Sequence, residues 1–202
     1  MGASVDCELI GPGLLAQPVN ASTCLALVVA GLVVARRSRI RWIGYALVAA
    51  GIGSFLFHGP LAPGGSWIHD VTLAWLLLVV AGFSRPWEVL SRRPGLAALA
   101  ALIALAPASA GWATSVILAG AAISVLEDDR SRATLLPLLL LAATAVIGRL
   151  GATGGPLCDP GSLLQAHGLW HVGSAIAVAW WAIGRERRLQ AGSRDHANPP
   201  SR

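Results

Sequence analysis

Apolar residues run along the chain in long blocks, and the breaks between them are short clusters of Arg, Gly, Pro and acidic residues. The blocks are apolar on every face, the pattern of helices buried all round or set in lipid rather than of helices with one wet side. Each approaches the ~20 residues a helix needs to cross a bilayer, the first being near the lower limit. The breaks predict helices over 19–35, 42–58, 67–83, 133–149 and 163–183. Residues 95–126 are apolar almost throughout and too long for one crossing, and Pro107, Ser109 and Gly111 near their middle divide them into two helices joined by a tight turn. The expected fold class is an all-α membrane protein, a seven-transmembrane helix bundle. Residues 1–18, punctuated by Gly11, Pro12, Gly13 and Pro18, form a cap outside the membrane, and 19–184 are the transmembrane domain. Residues 185–202, charged and then Pro-rich, are expected to be a disordered cytoplasmic tail.

The basic residues set the topology. All fifteen are Arg, and seven crossings put all but Arg149 on one side. They are 36, 37, 39 and 41 after the first helix, 85, 92 and 93 after the third, 130 and 132 after the fifth, and 185, 187, 188, 194 and 202 in the tail. An excess of Lys and Arg marks the cytoplasmic side, so the N-terminus is expected outside and the C-terminus inside. Merging 95–126 into one helix would move the tail arginines to the opposite side from the first loop, which favours seven.

Composition agrees with a membrane protein: of 202 residues 55% are hydrophobic and only 12% charged, with mean hydropathy +0.65. The net charge of +5 lies in short Arg runs between apolar segments, without any nucleic-acid-binding module, so nucleic acid is excluded as a partner. The N-terminus has no basic start before an apolar core, as a signal peptide would; Asp6 and Glu8 come first. The cysteines stand at 7, 24 and 158 with no CxxC spacing, which leaves a thiolate zinc site unsupported.

The expected topology brings the few polar groups of the blocks to one depth. Ser54 and His58, His69 and Asp70, and His167 and His171 all fall in the outer half of the membrane. His167 and His171 are four residues apart, as are Ser54 and His58, so each pair shares a helix face. Imidazoles in a bilayer are costly unless they face the protein interior and bind something. Zinc favours imidazole nitrogen, and catalytic zinc sites use three protein ligands and keep a position open for water, which becomes a nucleophile near neutral pH. His58, His167 and His171 are the expected ligands, Asp70 the general acid/base, and Ser54 a hydrogen-bond donor to a developing oxyanion or a group that orients a ligand. His69 replaces His58 as a ligand only if adjacent Asp70 points about 100° away from it, so it is placed in a loop or behind the ligands.

Ser-x-x-x-His at 54–58, Asp70 on the next helix and His-Gly-Leu-Trp-His at 167–171, with Cys7-Glu8 near the start, resemble the alkaline ceramidase family. That family belongs to a wider group of seven-helix membrane hydrolases with the adiponectin receptors and hemolysin III proteins. The resemblance covers nearly the whole chain. It implies a zinc amidase site carried by Ser54, His58, Asp70, His167 and His171, which hydrolyses an N-acyl membrane lipid such as ceramide to a fatty acid and a long-chain amine. Eukaryotic members also bind calcium near the N-terminus; here Glu8 matches, Gln17 stands where an acid is expected and other ligands are missing, which argues against calcium. Asn20 resembles an Asn at the start of the family's first helix and is expected to be structural. The resemblance further implies a disulfide between Cys7 and Cys158, both on the outer face, where oxidation is permitted. Cys24 is expected to be packing.

Two rival readings stay open. A proton- or metal-relay transporter predicts polar groups in the inner half too, where Ser84, Ser124 and Thr144 are the candidates. A receptor-like or structural protein predicts a zinc ion with a closed fourth position. Within the hydrolase reading, an ester is the alternative to an amide. The Arg-only, Ala/Gly/Leu-rich composition points to a GC-rich bacterial genome and so to a bacterial plasma membrane.

Overall fold

Helices begin and end where the sequence supplies breakers. A computed structural model describes residues 6–37, 39–83 and 93–197, with side chains to 193. Among the described residues are seven α-helices and no strand: α1 Pro18–Ala35, α2 Arg41–His58, α3 Gly65–Ala81, α4 Pro94–Leu105, α5 Ala110–Asp128, α6 Arg132–Leu150 and α7 Ala166–Ala197. Pro18 and Pro94 open α1 and α4, where a missing N–H is not needed for the helix ladder. A short 3-10 helix, Pro107–Ser109, makes the expected division between α4 and α5. Ser84, Arg85 and Arg92 lie outside the described residues.

The last helix departs from expectation at both ends. It starts at Ala166 and continues to Ala197, through residues whose charge predicts a disordered tail. Those residues are largely Arg, Glu, Leu, Gln and Ala, which are strong helix formers, and no proline interrupts them. Gln190 Nε2 donates to Glu186 Oε1 one turn back at 2.9 Å. Arg39, from the α1–α2 loop, donates to the Leu189 carbonyl at 3.2 Å and to Ser193 Oγ at 3.3 Å. Propensity and docking extend the helix where charge alone suggests a tail.

The helices form a ring. α1 packs on α2 and α7, α2 on α3, α3 on α5, and α6 on α7, with α4 lying outside against α3 and α5. The seam between α5 and α6 is the loosest of the ring. Glycines let α1 and α2 close on each other: a Cβ on Gly31 would stand 2.7 Å from the Gly44 carbonyl oxygen. Leu27, Val34, Ile43, Leu47, Val79 and Trp181 bury one core cluster among α1, α2, α3 and α7.

Three segments, Pro18–Ala35, Pro107–Asp128 and Arg132–Leu150, are long and apolar enough to cross a membrane. Large apolar side chains point outward from them, among them Val29 and Leu32 of α1, Ile123 of α5, and Leu139 and Val146 of α6. An apolar exterior of this extent fits lipid, and membrane association follows.

The α5–α6 corner is held by one carboxylate. Asp129 accepts hydrogen bonds from the Ser131 N–H (2.8 Å), the Ser131 hydroxyl (3.0 Å) and the Thr134 hydroxyl (2.7 Å), and pairs with Arg188 of α7 at 3.1 Å. The Thr134 hydroxyl and the Ser131 N–H hold its carboxyl below the ordinary 3.8. Its stabilisation is therefore complete above that value and is lost as pH falls through the lower folded value. Asp129→Ala is expected to cost about 1 kcal/mol, the lower end for hydrogen bonds to a charged group because the site is partly solvated. Thermal melts followed by circular dichroism at pH 7 and pH 3 check this; a melting difference that persists undiminished at pH 3 would rule it out.

Candidate metal centre

The head end of the ring, where α2 ends and α3 and α7 begin, is closed by the N-terminal cap. Cys7 is disulfide-bonded to Cys158 in the α6–α7 loop, with the two Cα atoms 5.6 Å apart. The Cys7 N–H donates to Thr153 Oγ1 at 3.0 Å and the Leu9 N–H to the Pro160 carbonyl at 3.2 Å. Glu8 turns its carboxylate onto the first turn of α1, accepting the Val19 N–H at 2.7 Å and the Asn20 N–H at 2.8 Å. These are N–H groups that a helix start leaves without partners and where its dipole favours an anion. Ala16 and Gln17 donate their N–H groups to the Gly59 and His58 carbonyls, at 2.9 and 3.0 Å, which stitches the cap to the end of α2.

Three histidines meet under this cap. The ring centroids of His58, His167 and His171 are 5.0, 5.2 and 4.6 Å apart, pair by pair. One ligand nitrogen from each lies within 4.8 Å of the others, so the three could hold a metal ion. His58 and His171 are almost wholly buried. Gly168 lets α7 approach α1 here, since a Cβ on it would stand 3.2 Å from Thr23; that approach brings Thr23 to His171.

The partners behind each ring orient it. His58 Nδ1 stands 2.7 Å from Gln17 Oε1, which can only accept, so His58 Nδ1 carries the proton. Gln17 is fixed in turn, its Nε2 donating to the Glu8 carbonyl at 3.0 Å. His171 Nδ1 stands 3.1 Å from Thr23 Oγ1. That hydroxyl already donates to the Val19 or Asn20 carbonyl, so its oxygen accepts from His171 Nδ1–H. His167 Nδ1 faces the Asp6 carboxylate at 3.4 Å. Burial pushes the Asp6 carboxyl up to about 6. With the Nδ1 positions occupied this way, the lone pairs fall on Nε2. All three Nε2 atoms are buried without a hydrogen-bond partner. Buried acceptors without partners need an explanation, and three in one cluster fit a cation held by neutral imidazoles.

The cluster stands at the head of a cavity that runs down the middle of the ring. His171, Ser54, His69 and Ser174 line its polar end; Leu73, Leu77, Val80, Leu118, Val125 and Val178 line the rest. It encloses about 870 Å³ of empty space, open solvent at its mouth included. Ser54 is buried beside it, one turn before His58.

The other expected residues are placed as follows. Asp70 is not part of the cavity wall; its Oδ1 accepts from His69 Nδ1 at 2.9 Å, and His69 does line the cavity, its ring 6.3 Å from that of His58. Asn20 is fully buried, with both side-chain amide atoms unpaired. Cys24 is buried, its Sγ 3.6 Å from His171 Nδ1. Of the polar residues in the other half, Ser124 and Thr144 give their hydroxyls to carbonyls of their own helices, Gly120 and Leu140.

Sequence reasoning did not anticipate the roles of Asp6, Gln17 and Thr23 behind the histidines, or Trp170 in the cavity wall. One signal was readable: Asn20, Thr23 and Cys24 put three polar side chains on one face of an apolar helix, at helical spacing.

No family model matches the chain, and neither a curated protein nor a solved structure matches it. The resemblance to alkaline ceramidases rests on the residues alone.

Proposed function

We propose that the chain is a multi-pass membrane hydrolase that cleaves the amide bond of an N-acyl lipid, with zinc held by His58, His167 and His171. The observation that carries this reading is the convergence of three buried, unpartnered Nε2 atoms at the head of an apolar cavity. When bound, zinc supplies Lewis acidity and brings the ionisation of a water into the neutral range. The chain supplies the rest. Gln17, Thr23 and Asp6 hold the imidazoles in the ligating tautomer. Ser54 is set to hydrogen-bond the carbonyl oxygen as negative charge develops on it. Asp70 holds the Nδ1 proton of His69, so His69 Nε2 is left to take a proton from the attacking water and return it to the departing amine.

The apolar part of the cavity favours a lipid. From His69 to Val80 along α3 it runs about 16 Å, room for roughly a dozen methylenes of an extended chain. The loose α5–α6 seam offers such a chain a sideways path from the bilayer. The Arg distribution supports seven crossings with the N-terminal cap outside, in a bacterial plasma membrane, and the Cys7–Cys158 disulfide is suited to that side.

The test is made on detergent-purified protein: zinc per chain by elemental analysis, and fatty acid released from N-acyl amide lipids of increasing acyl length, with ester analogues alongside. We expect one zinc per chain and amide cleavage that weakens for acyl chains well beyond the cavity's length. Stoichiometric zinc without cleavage of any substrate would favour a structural zinc, ester cleavage alone would change the substrate class, and no bound metal would sink the metal reading altogether.

A further inference from the structure

Each of the three imidazoles is backed by a residue from the first 23 of the chain, and the three backing residues differ in kind. Gln17 and Thr23 are neutral and sit at the start of α1. Asp6 is charged and sits in the cap, where its Oδ1 stands 3.4 Å from His167 Nδ1 and its Oδ2 3.9 Å from His58 Nδ1. One carboxylate thus faces two of the three rings. For His58 it adds to the close hydrogen bond that His58 Nδ1 already donates to Gln17 Oε1; for His167 it is the facing polar group, since Gln17 and Thr23 serve the other two rings.

What holds Asp6 there is not α1 but the other end of the sequence. The next residue, Cys7, is bonded to Cys158, gives its N–H to Thr153, and has a positive φ of 70°. The Glu8 N–H returns to the Asp6 carbonyl at 2.9 Å, closing a tight turn around the disulfide. The position of the carboxylate relative to His167 is therefore set by a covalent tie to the loop that leads into α7, the helix that carries His167.

We propose that Asp6 is a positioning residue for the metal centre: it orients His167 and His58 through their Nδ1 atoms, and the Cys7–Cys158 disulfide acts on metal affinity by keeping Asp6 in place. This rests on the metal-binding reading above. A carboxylate behind a ligating histidine fixes its tautomer and raises its basicity, and losing such a partner costs about 10- to 100-fold in metal affinity. Because metal binding and the closed cap favour each other, the coupling is reciprocal: removing the disulfide loosens the metal by the fraction of Asp6's effect that the tether maintains.

The experiment measures zinc affinity by chelator competition, on full-length protein, for wild type, Asp6→Asn, Cys7→Ser/Cys158→Ser, and the combination of all three changes. Cobalt-loaded samples give a visible ligand-field spectrum as a second readout, and melts of the metal-free proteins show whether folding has changed. We expect Asp6→Asn to weaken zinc by about 10- to 100-fold and to shift the cobalt spectrum, with the metal-free melt unchanged. The disulfide variant should weaken zinc in the wild-type background and have little further effect once Asp6 is Asn. Asp6→Asn with wild-type affinity and cobalt spectrum would overturn the proposal, and disulfide and Asp6 effects that simply multiply would overturn the part assigned to the tether. If the disulfide variant fails to fold, the Asp6→Asn comparison, which keeps the disulfide, decides the positioning role by itself. A wild-type protein that binds no zinc would be a failure of the metal reading and not of this inference.

Discussion

His167→Ala is expected to strip the metal from the protein and abolish turnover. His167 is the most accessible of the three proposed ligands, its side chain 19% exposed, against near-complete burial of His58 and His171. Truncating it leaves a smaller void than truncating either of the others, so the fold should survive. What is lost is one of three inward Nε2 lone pairs. The two remaining imidazoles cannot replace it, and water at that position is a weaker donor held by fewer bonds. Loss of a ligand should cost at least the ~100-fold that loss of an outer partner can cost. In practice zinc would fall from one per chain to background after a chelator wash. Metal-free wild type and metal-free His167→Ala should melt alike, while only wild type should gain stability on adding zinc, because an ion that binds the folded state alone stabilises it. A variant that retains one tightly held zinc would remove His167 from the ligand set.

Much of this architecture was legible because lipid imposes simple rules. The apolar blocks and their Gly, Pro and Arg breaks place α1, α2, α3 and α6 within two residues of their observed ends. Pro107 marks the division between α4 and α5 because a missing N–H and a fixed φ act locally, whatever surrounds them. The histidines were legible for a similar reason: a polar group in an apolar block needs a partner, and i, i+4 spacing says which ones share a face. The supports behind them were not. Gln17 and Asp6 lie in an irregular cap without periodicity, and their meeting with His58 and His167 depends on where the cap folds back, which the disulfide and the Gln17–His58 backbone pairing decide. The side-chain direction of Asp70 was not legible either. Asp70 lies one residue from His69 on α3, about 100° around the helix, and it is His69, not Asp70, that lines the cavity. The far end of α7 was hidden because charge reads equally as tail or as exposed helix, and the contacts that distinguish them, with Arg39 and Asp129, come from distant parts of the chain.

Asp70→Asn is expected to leave zinc bound and reduce turnover by about 100- to 10,000-fold, the range for loss of a general acid/base group. Asn matches Asp in size, and Asp70 is not among the three clustered histidines that could hold a metal ion, so metal content has no reason to change. Asp70 accepts the Nδ1 proton of His69 at 2.9 Å. An amide in its place carries no charge to stabilise a protonated ring, and it can present its NH2 to Nδ1 and so favour the wrong tautomer. In hydrolases that hold a histidine with an aspartate, that change leaves the geometry intact and removes most of the rate. The route through His69 makes a further demand on the kinetics. His69→Ala should cost about as much as Asp70→Asn, and the double variant little more than either, because residues that act as one unit do not contribute additively. If Asp70 touches the substrate itself, His69→Ala should keep most of its turnover while Asp70→Asn loses it. Measuring kcat for the three variants with zinc confirmed at one per chain separates these outcomes, and unchanged turnover in Asp70→Asn would take Asp70 out of the chemistry by either route.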